Sequence, residues 1–154
     1  IMSEANPLQS WESIDLDAIE PFTMVLYQEQ KLYQLRWNGR QKETLMLYTA
    51  QSYVWSSSTL YSQEIRDQRA SWFYQFLESN FSVTERELMH FHQYTHTDNK
   101  ENGLVINRSN TLKTLSITQT VIEQNKVDVL YHDLINQNEF SNSFVSQHLS
   151  TKVI

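Results

Sequence analysis

The stretch that decides the fold is residues 53–69, YVWSSSTLYSQEIRDQR. It opens on Tyr53, Val54 and Trp55, aromatic and β-branched side chains that favour a strand. Ser56, Ser57, Ser58 and Thr59 follow. Their short hydroxyl side chains compete for backbone hydrogen bonds, so they favour turns and caps over regular interiors. Ser62 then stands before Gln63, Glu64 and Ile65, an N-cap with an acid in the first turn. The stretch is expected to carry the chain from a strand end into a helix. Such a crossing leaves backbone N–H groups pointing outward, where polar sites form. The alternative is an ordinary capped loop.

Upstream, FTMVLYQ at Phe22–Gln28 and KLYQLRW at Lys31–Trp37 are apolar and aromatic enough for strands, separated by a short Glu29-Gln30 turn. Asn38-Gly39 is a strong hairpin signal, since both residue types accept positive φ. Residues 43–48 are expected as a third strand and 53–56 as a fourth, which makes an antiparallel meander. Before it, residues 1–8 are expected to be the last turns of a helix ended near Pro7, and Trp11, Ile14 and Leu16 a loop closing at Pro21.

Downstream, a helix over 62–78 places Ile65, Arg69, Trp72, Phe73, Phe76 and Leu77 on one face. A second helix is expected to start at Ser82, with Ser82 and Glu85 as a capping box and Leu88, Phe91 and His92 facing inward. Residues 104–107 and 112–123 are expected as strands, the second putting Leu115, Ile117 and Gln119 on one face. Gln124-Asn125 turns into a last strand over 126–134. From Ile135 the chain is polar, and Phe140, Phe144, Val145 and Leu149 mark a weak helix or a loosely ordered tail. The fold class expected is α+β, antiparallel sheets with helices packed on them, as a single domain over 1–134 followed by a polar segment over 135–154.

The 154 residues include four Trp, eight Tyr and seven Phe, enough to bury a real core. Only two Gly and two Pro leave the turns to Asn, Asp, Ser and Gln. A net charge of -6 with no basic stripe argues against a nucleic-acid partner. No apolar run approaches the roughly 20 residues of a membrane span, and no leader-like segment opens the chain. The cytoplasm is the expected compartment. With no Cys there is no disulfide framework and no thiolate chemistry.

His90, His92 and His96 invite a metal reading, since His92 and His96 are one helical turn apart. A third ligand type is missing, so no metal and no cofactor is expected. Ser56–Ser58 invite a nucleophile reading, but no Gly supplies the strained elbow such a serine needs. Arg36, Arg40, Arg66, Arg69 and Arg108 could hold an anion; pairing with Glu64, Asp67 or Glu85 is the other use. The four Trp are expected as core anchors, Trp72 against the sheet that ends at Trp55.

WSSSTLY, with Arg66, Arg69 and Trp72-Phe73 behind it, resembles the middle of the bacterial NRDE proteins, relatives of the transport and Golgi organisation 2 family. AIEPFTMVLYQEQKLYQLRWNGR before it and ENGLVINRSNTLKTLSITQ after it fit in order, so the resemblance spans residues 15–134. It implies an N-terminal nucleophile hydrolase-type fold, an αββα sandwich, with this chain as its C-terminal part. In related acylases the segment matching SSSTLY brings an Asn near the oxyanion position; serines stand there here. The resemblance makes Ser57, Ser58, Thr59 and Arg66 ligand-pocket candidates. The family's Asn-Arg-Asp-Glu string and its Cys after the initiator Met do not occur in this sequence. Ile1 has neither thiol nor hydroxyl, so no catalytic residue is assigned, and whether the protein is an enzyme stays open.

Three functions therefore stand beside one another. The first is an NRDE-type hydrolase-like segment that needs a missing N-terminal part of the same domain. The second is a non-catalytic binding module for a hydrophobic or haem-like ligand, with His90, His92 and His96 as the ligands to test. The third is a structural or interaction domain. A small-molecule ligand stays unidentified in all three.

Overall fold

The computed structural model describes residues 6–145. The described chain is mixed α+β, with three helices and three antiparallel sheets among the described residues. It divides into two compact units, Ile1–Tyr53 and Val54–Ile154, where composition pointed to one domain.

In the first unit, Pro7 opens a helix instead of ending one. Helix α1 spans Pro7–Ser13, and the Asn6 side chain caps it by accepting from the Gln9 N–H at 3.2 Å. Proline is tolerated there because a first-turn N–H has no helical partner to lose. The expected helix over 1–8 lies mostly outside the described residues, and its end near Pro7 is overturned. Strands β1 (Phe22–Gln28), β2 (Lys31–Trp37) and β3 (Lys42–Leu47) form the expected meander in the order β1-β2-β3. Glu29 and Gln30 turn between the first two at φ 50 and 60, without a glycine. At the second turn, Asn38 Oδ1 accepts from the Arg40 and Gln41 N–H groups, both at 2.9 Å, and Gly39 takes φ +90.

Alternation along the strands sends Leu26, Leu35 and Trp37 to one face, where Trp11 and Leu16 close the core. Trp11 and Leu35 are wholly buried. Both buried indoles find acceptors: Trp11 Nε1 donates to Thr44 Oγ1 at 3.0 Å and Trp37 Nε1 to the Ile19 carbonyl at 2.9 Å. Lys42 Nζ donates to the carbonyls of Glu12 and Ile14, capping α1 with a cation at its negative end. The other face of the sheet keeps Val25, Tyr27 and Leu45 exposed. The expected fourth strand over 53–56 does not form. The Tyr53 hydroxyl accepts from the Tyr48 N–H at 3.0 Å and donates to Gln51, which ties this segment into a local loop.

The second unit begins at Val54 and enters α2 (Gln63–Glu78) at the expected cap, Ser62 Oγ accepting from the Ile65 N–H. Phe73 is buried, and Ile65, Arg69, Trp72, Phe76 and Leu77 are half-buried on the same face. Helix α3 (Glu85–Tyr94) starts two residues later than expected. The capping box is Thr84 with Glu87, not Ser82 with Glu85: Glu87 accepts from the Thr84 N–H at 2.8 Å, and Thr84 Oγ1 from the Glu87 N–H at 3.2 Å. Both pairs fit the same spacing, and Thr84 leaves Met89 and Phe91 inward.

The strand expected over 104–107 reduces to β4 (Asn107–Arg108), paired with β5 (Leu112–Lys113). The long strand expected over 112–123 breaks after β5. Thr114 turns back to buried Ile106, its N–H donating to the Ile106 carbonyl and its Oγ1 accepting from the Ile106 N–H, both at 3.0 Å. Strands β6 (Ser116–Glu123), β7 (Lys126–Asp133) and β8 (Asn138–Val145) form a second meander, order β6-β7-β8. The helix or loose tail expected for Phe140, Phe144 and Val145 is a strand; Leu149 lies outside the described residues. Asp133 makes this possible by accepting from the Ile135 and Asn136 N–H groups, which turns the chain back on itself. Those bonds hold its carboxyl below the usual carboxylate range. The expected boundary after Leu134 thus falls inside the β7–β8 hairpin.

Candidate functional site

Helix α3 lies across one face of the β6-β7-β8 sheet. Phe91 anchors it from behind, stacked on Phe76 of α2 with ring centres 4.7 Å apart. In front, Gln119 of β6 donates to the Glu85 carbonyl at 2.8 Å. Gln93, two turns along α3, reaches His132 of β7, with 2.9 Å from its Nε2 to the ring Nδ1. The same Nδ1 lies 2.9 Å from Glu139 Oε1 on β8, because His132 and Glu139 are register partners. One ring nitrogen therefore faces an amide donor and a carboxylate acceptor. It can satisfy only one at a time: protonated it donates to Glu139, bare it accepts from Gln93.

Around this junction opens a cleft of about 510 Å³. Met89 of α3 and Leu130 of β7 supply apolar lining. Glu85, Arg86, His90, Gln93 and Tyr94 of α3, Gln119 of β6 and Glu139 of β8 supply the polar lining. A few polar groups converging on an apolar patch is the usual chemistry of a small-molecule site. The partners of His132 are thus an amide from α3 and a carboxylate from β8. A cavity in the first unit, about 390 Å³, is lined by Gln9, Glu12, Gln28 and Tyr33 among others and carries no imidazole.

The ligand-pocket candidates singled out from sequence fall elsewhere in the second unit. Ser57, Ser58 and Thr59 are exposed on one turn. Ser57 Oγ and Thr59 Oγ1 are 3.0 Å apart, and Ser57 Oγ also accepts from the Leu60 N–H at 3.3 Å. Arg66 ties the end of the same turn by donating to the Tyr61 carbonyl at 2.8 Å. The structure brings these four together around a turn, and none of them lines the cleft beside α3.

The arginines are used differently from either expectation. Arg69 donates to Ser56 Oγ at 3.2 Å and to the carbonyls of Asn102 and Gly103. Arg108 donates to the Glu101 carbonyl at 2.8 Å and to the Leu60 carbonyl at 3.3 Å. Their partners are mostly backbone oxygens, not Glu64, Asp67 or Glu85. Arg36 pairs with Glu43 at 3.9 Å.

The histidines do not converge. His90 lines the cleft, while His92 is half-buried and its ring is held below the usual imidazole range by burial and by the charge of Arg69. Helix α3 ends at Tyr94, so His96 leaves the helix at φ 52 and stacks on Trp72, ring centres 4.0 Å apart. Among the described residues no group of three or more His, Cys, Asp or Glu could hold a metal ion. No described helix is long and apolar enough to cross a membrane. Trp11 and Trp37 are the core anchors expected, whereas Trp72 is only half-buried and Trp55 is 42% exposed.

Sequence reasoning missed Gln93 and Glu139 altogether, and placed Gln119 only as a residue on one strand face. Gln93 and His132 are 39 positions apart, and only the β7-β8 register brings Glu139 to the same nitrogen. No family model matches the chain, and no curated protein and no solved structure is significantly similar to it.

Proposed function

We propose that this chain is a binding module that takes a small amphipathic molecule, rich in hydrogen-bond donors, in the cleft between α3 and the β6-β7-β8 sheet. The observation that carries this reading is His132 Nδ1, 2.9 Å from both Gln93 and Glu139 at the edge of that cleft. An apolar ligand body would cover Met89 and Leu130. Its polar groups would meet Glu85, Gln119 and Glu139, which offer more acceptors than donors. The test is ligand-observed NMR with a panel of small aliphatic amines, amides and acids. Amines or amides should bind the wild-type chain and lose binding to Leu130→Arg, which fills the cleft. Equal binding to both proteins would remove the reading.

The NRDE-type, hydrolase-like reading is supported by a separate observation. Each three-stranded sheet covers one face and leaves apolar residues on the other: Val25, Tyr27 and Leu45 in one, Ile122, Tyr131, Phe140 and Phe144 in the other. Sheets built for face-to-face packing have this character. In that reading Ser57, Ser58, Thr59 and Arg66 line a pocket, and a nucleophile comes from outside this sequence. An upstream reading frame encoding a Cys after its initiator Met, then an Asn-Arg-Asp-Glu string, would support it. A frame without them would count against it.

A further inference from the structure

Strand β8 carries a sequence that pairs with itself. Residues 140–144 read Phe-Ser-Asn-Ser-Phe, a palindrome centred on Asn142. The strand is an edge of its sheet, hydrogen-bonded to β7 along its full length on one side. All eight of its residues are exposed. Protein edges are usually guarded by Lys, Pro or a bulge, because unpaired N–H and C=O groups template another strand. β8 contains no Lys, Arg or Pro, and its register to β7 runs unbroken from Asn138 to Val145. Glu139 is its one charge, and it is turned to His132.

We propose that β8 is a homodimerisation edge, pairing antiparallel with β8 of a second copy about a two-fold axis through Asn142. Antiparallel pairing about that axis sets each residue 142+n against residue 142−n of the other copy. Phe140 then faces Phe144, Ser141 faces Ser143 and Asn142 faces itself, each pair of matching type. The Asn142 amide both donates and accepts, so it satisfies its own copy across the axis. Shifting the register by one residue would set Phe opposite Ser and lose both aromatic pairs. The two three-stranded sheets would join into one of six strands. Their open faces, with Tyr131 and Phe140 ring centres 6.3 Å apart, would become continuous. One strand pair buries little area, so the dimer belongs to the weak class, below about 1,200 Å².

The protein has no Cys, which makes the axis directly testable. In the two-fold register, Asn142→Cys brings two thiols opposite one another, within disulfide reach. Val145→Cys leaves them about 20 Å apart, six residues of strand rise. Under mild oxidation Asn142→Cys should give a covalent dimer at least about tenfold faster than Val145→Cys. Equal rates would overturn the proposal. Sedimentation equilibrium supplies the second arm, and the exposed positions keep the variants folded. The variant F140K/F144K sets like charges across the axis and should weaken the dimer at least about tenfold. The variant F140K/F144E sets opposite charges there and should restore it. A wild-type chain monomeric at all concentrations, a dimer indifferent to both variants, or one weakened equally by both would each overturn it.

Discussion

The guanidinium of Arg69 stacks on the ring of Tyr61, with 4.5 Å from its carbon to the ring centre, and Arg108 approaches the same ring at 5.2 Å. Two cations share one buried aromatic because each is held from outside by backbone carbonyls. Burial first, and then the neighbouring charge of Arg108, pull the Arg69 pKa down, partly offset by Tyr61. This junction fastens the turn before α2 to the loop around Gly103.

Arg69→Ala should therefore destabilise the protein by about 2–3 kcal/mol, since it strips donors from half-buried carbonyls as well as removing a ring contact. Arg69→Lys keeps the charge but not the planar fork, and should recover less than half of that loss. Urea unfolding of both variants checks the order. A loss below about 0.5 kcal/mol for Arg69→Ala would show the contacts to be incidental.

Gly103 should not tolerate even a methyl group. A Cβ there would sit 2.4 Å from the His96 carbonyl oxygen and 2.5 Å from that of Asn99, both backbone atoms. Neither can swing aside, because the Asn99 carbonyl accepts from the Gly103 N–H at 2.8 Å and the His96 carbonyl from the Asn99 N–H at 3.0 Å. Gly103→Ala should cost about 1–3 kcal/mol by overpacking. Thermal unfolding indistinguishable from wild type would contradict this geometry.

The cap of α3 can be read by a pair of substitutions. Thr84→Ala should lose about 1 kcal/mol, because Thr84 and Glu87 satisfy each other's N–H groups. Ser82→Ala should stay within about 0.5 kcal/mol. The reverse order would move the helix start back to Ser82.

His92 supplies a pH dependence of definite sign. Burial, reinforced by the charge of Arg69, lowers its pKa, so the fold prefers the neutral ring. The unfolded chain takes up that proton near pH 6.5, and the folded chain only at lower pH. Its stability contribution is therefore complete above about pH 6.5 and falls as the pH drops toward the folded value. Denaturant midpoints at pH 7.5 and 5.5 should differ in wild type, and His92→Gln should shrink the difference. An unchanged slope in the variant would assign the effect to other groups.

The strong local signals in the chain held. Ser62 before an acid in the first turn marked α2, and the 3.6-residue spacing of Ile65, Arg69, Trp72, Phe73, Phe76 and Leu77 marked its inward face. Alternating apolar residues around Asn38-Gly39 marked the β1-β2-β3 meander. These are short-range features, and each turn or cap is settled by residues within three or four positions.

Two local expectations failed, the helix end at Pro7 and the cap at Ser82, because proline also suits a first helical turn and Thr84 offers the same signal as Ser82. The other failures were elements whose partners lie far along the chain. Tyr53, Val54 and Trp55 have strand propensity but form no strand, and the Tyr53 hydroxyl accepts from the Tyr48 N–H in a local loop. The polar run 138–145 has weak propensity yet becomes β8, because the Asp133 turn delivers it to the free edge of β7. The cleft was invisible for the same reason. Amino-acid order by itself determined the antiparallel α+β character, the α2 cap and its inward face, since those follow from backbone propensity and side-chain period. Tertiary structure decided where His132 sits between Gln93 and Glu139, because strand register and helix placement bring together groups that local energetics leaves unconnected.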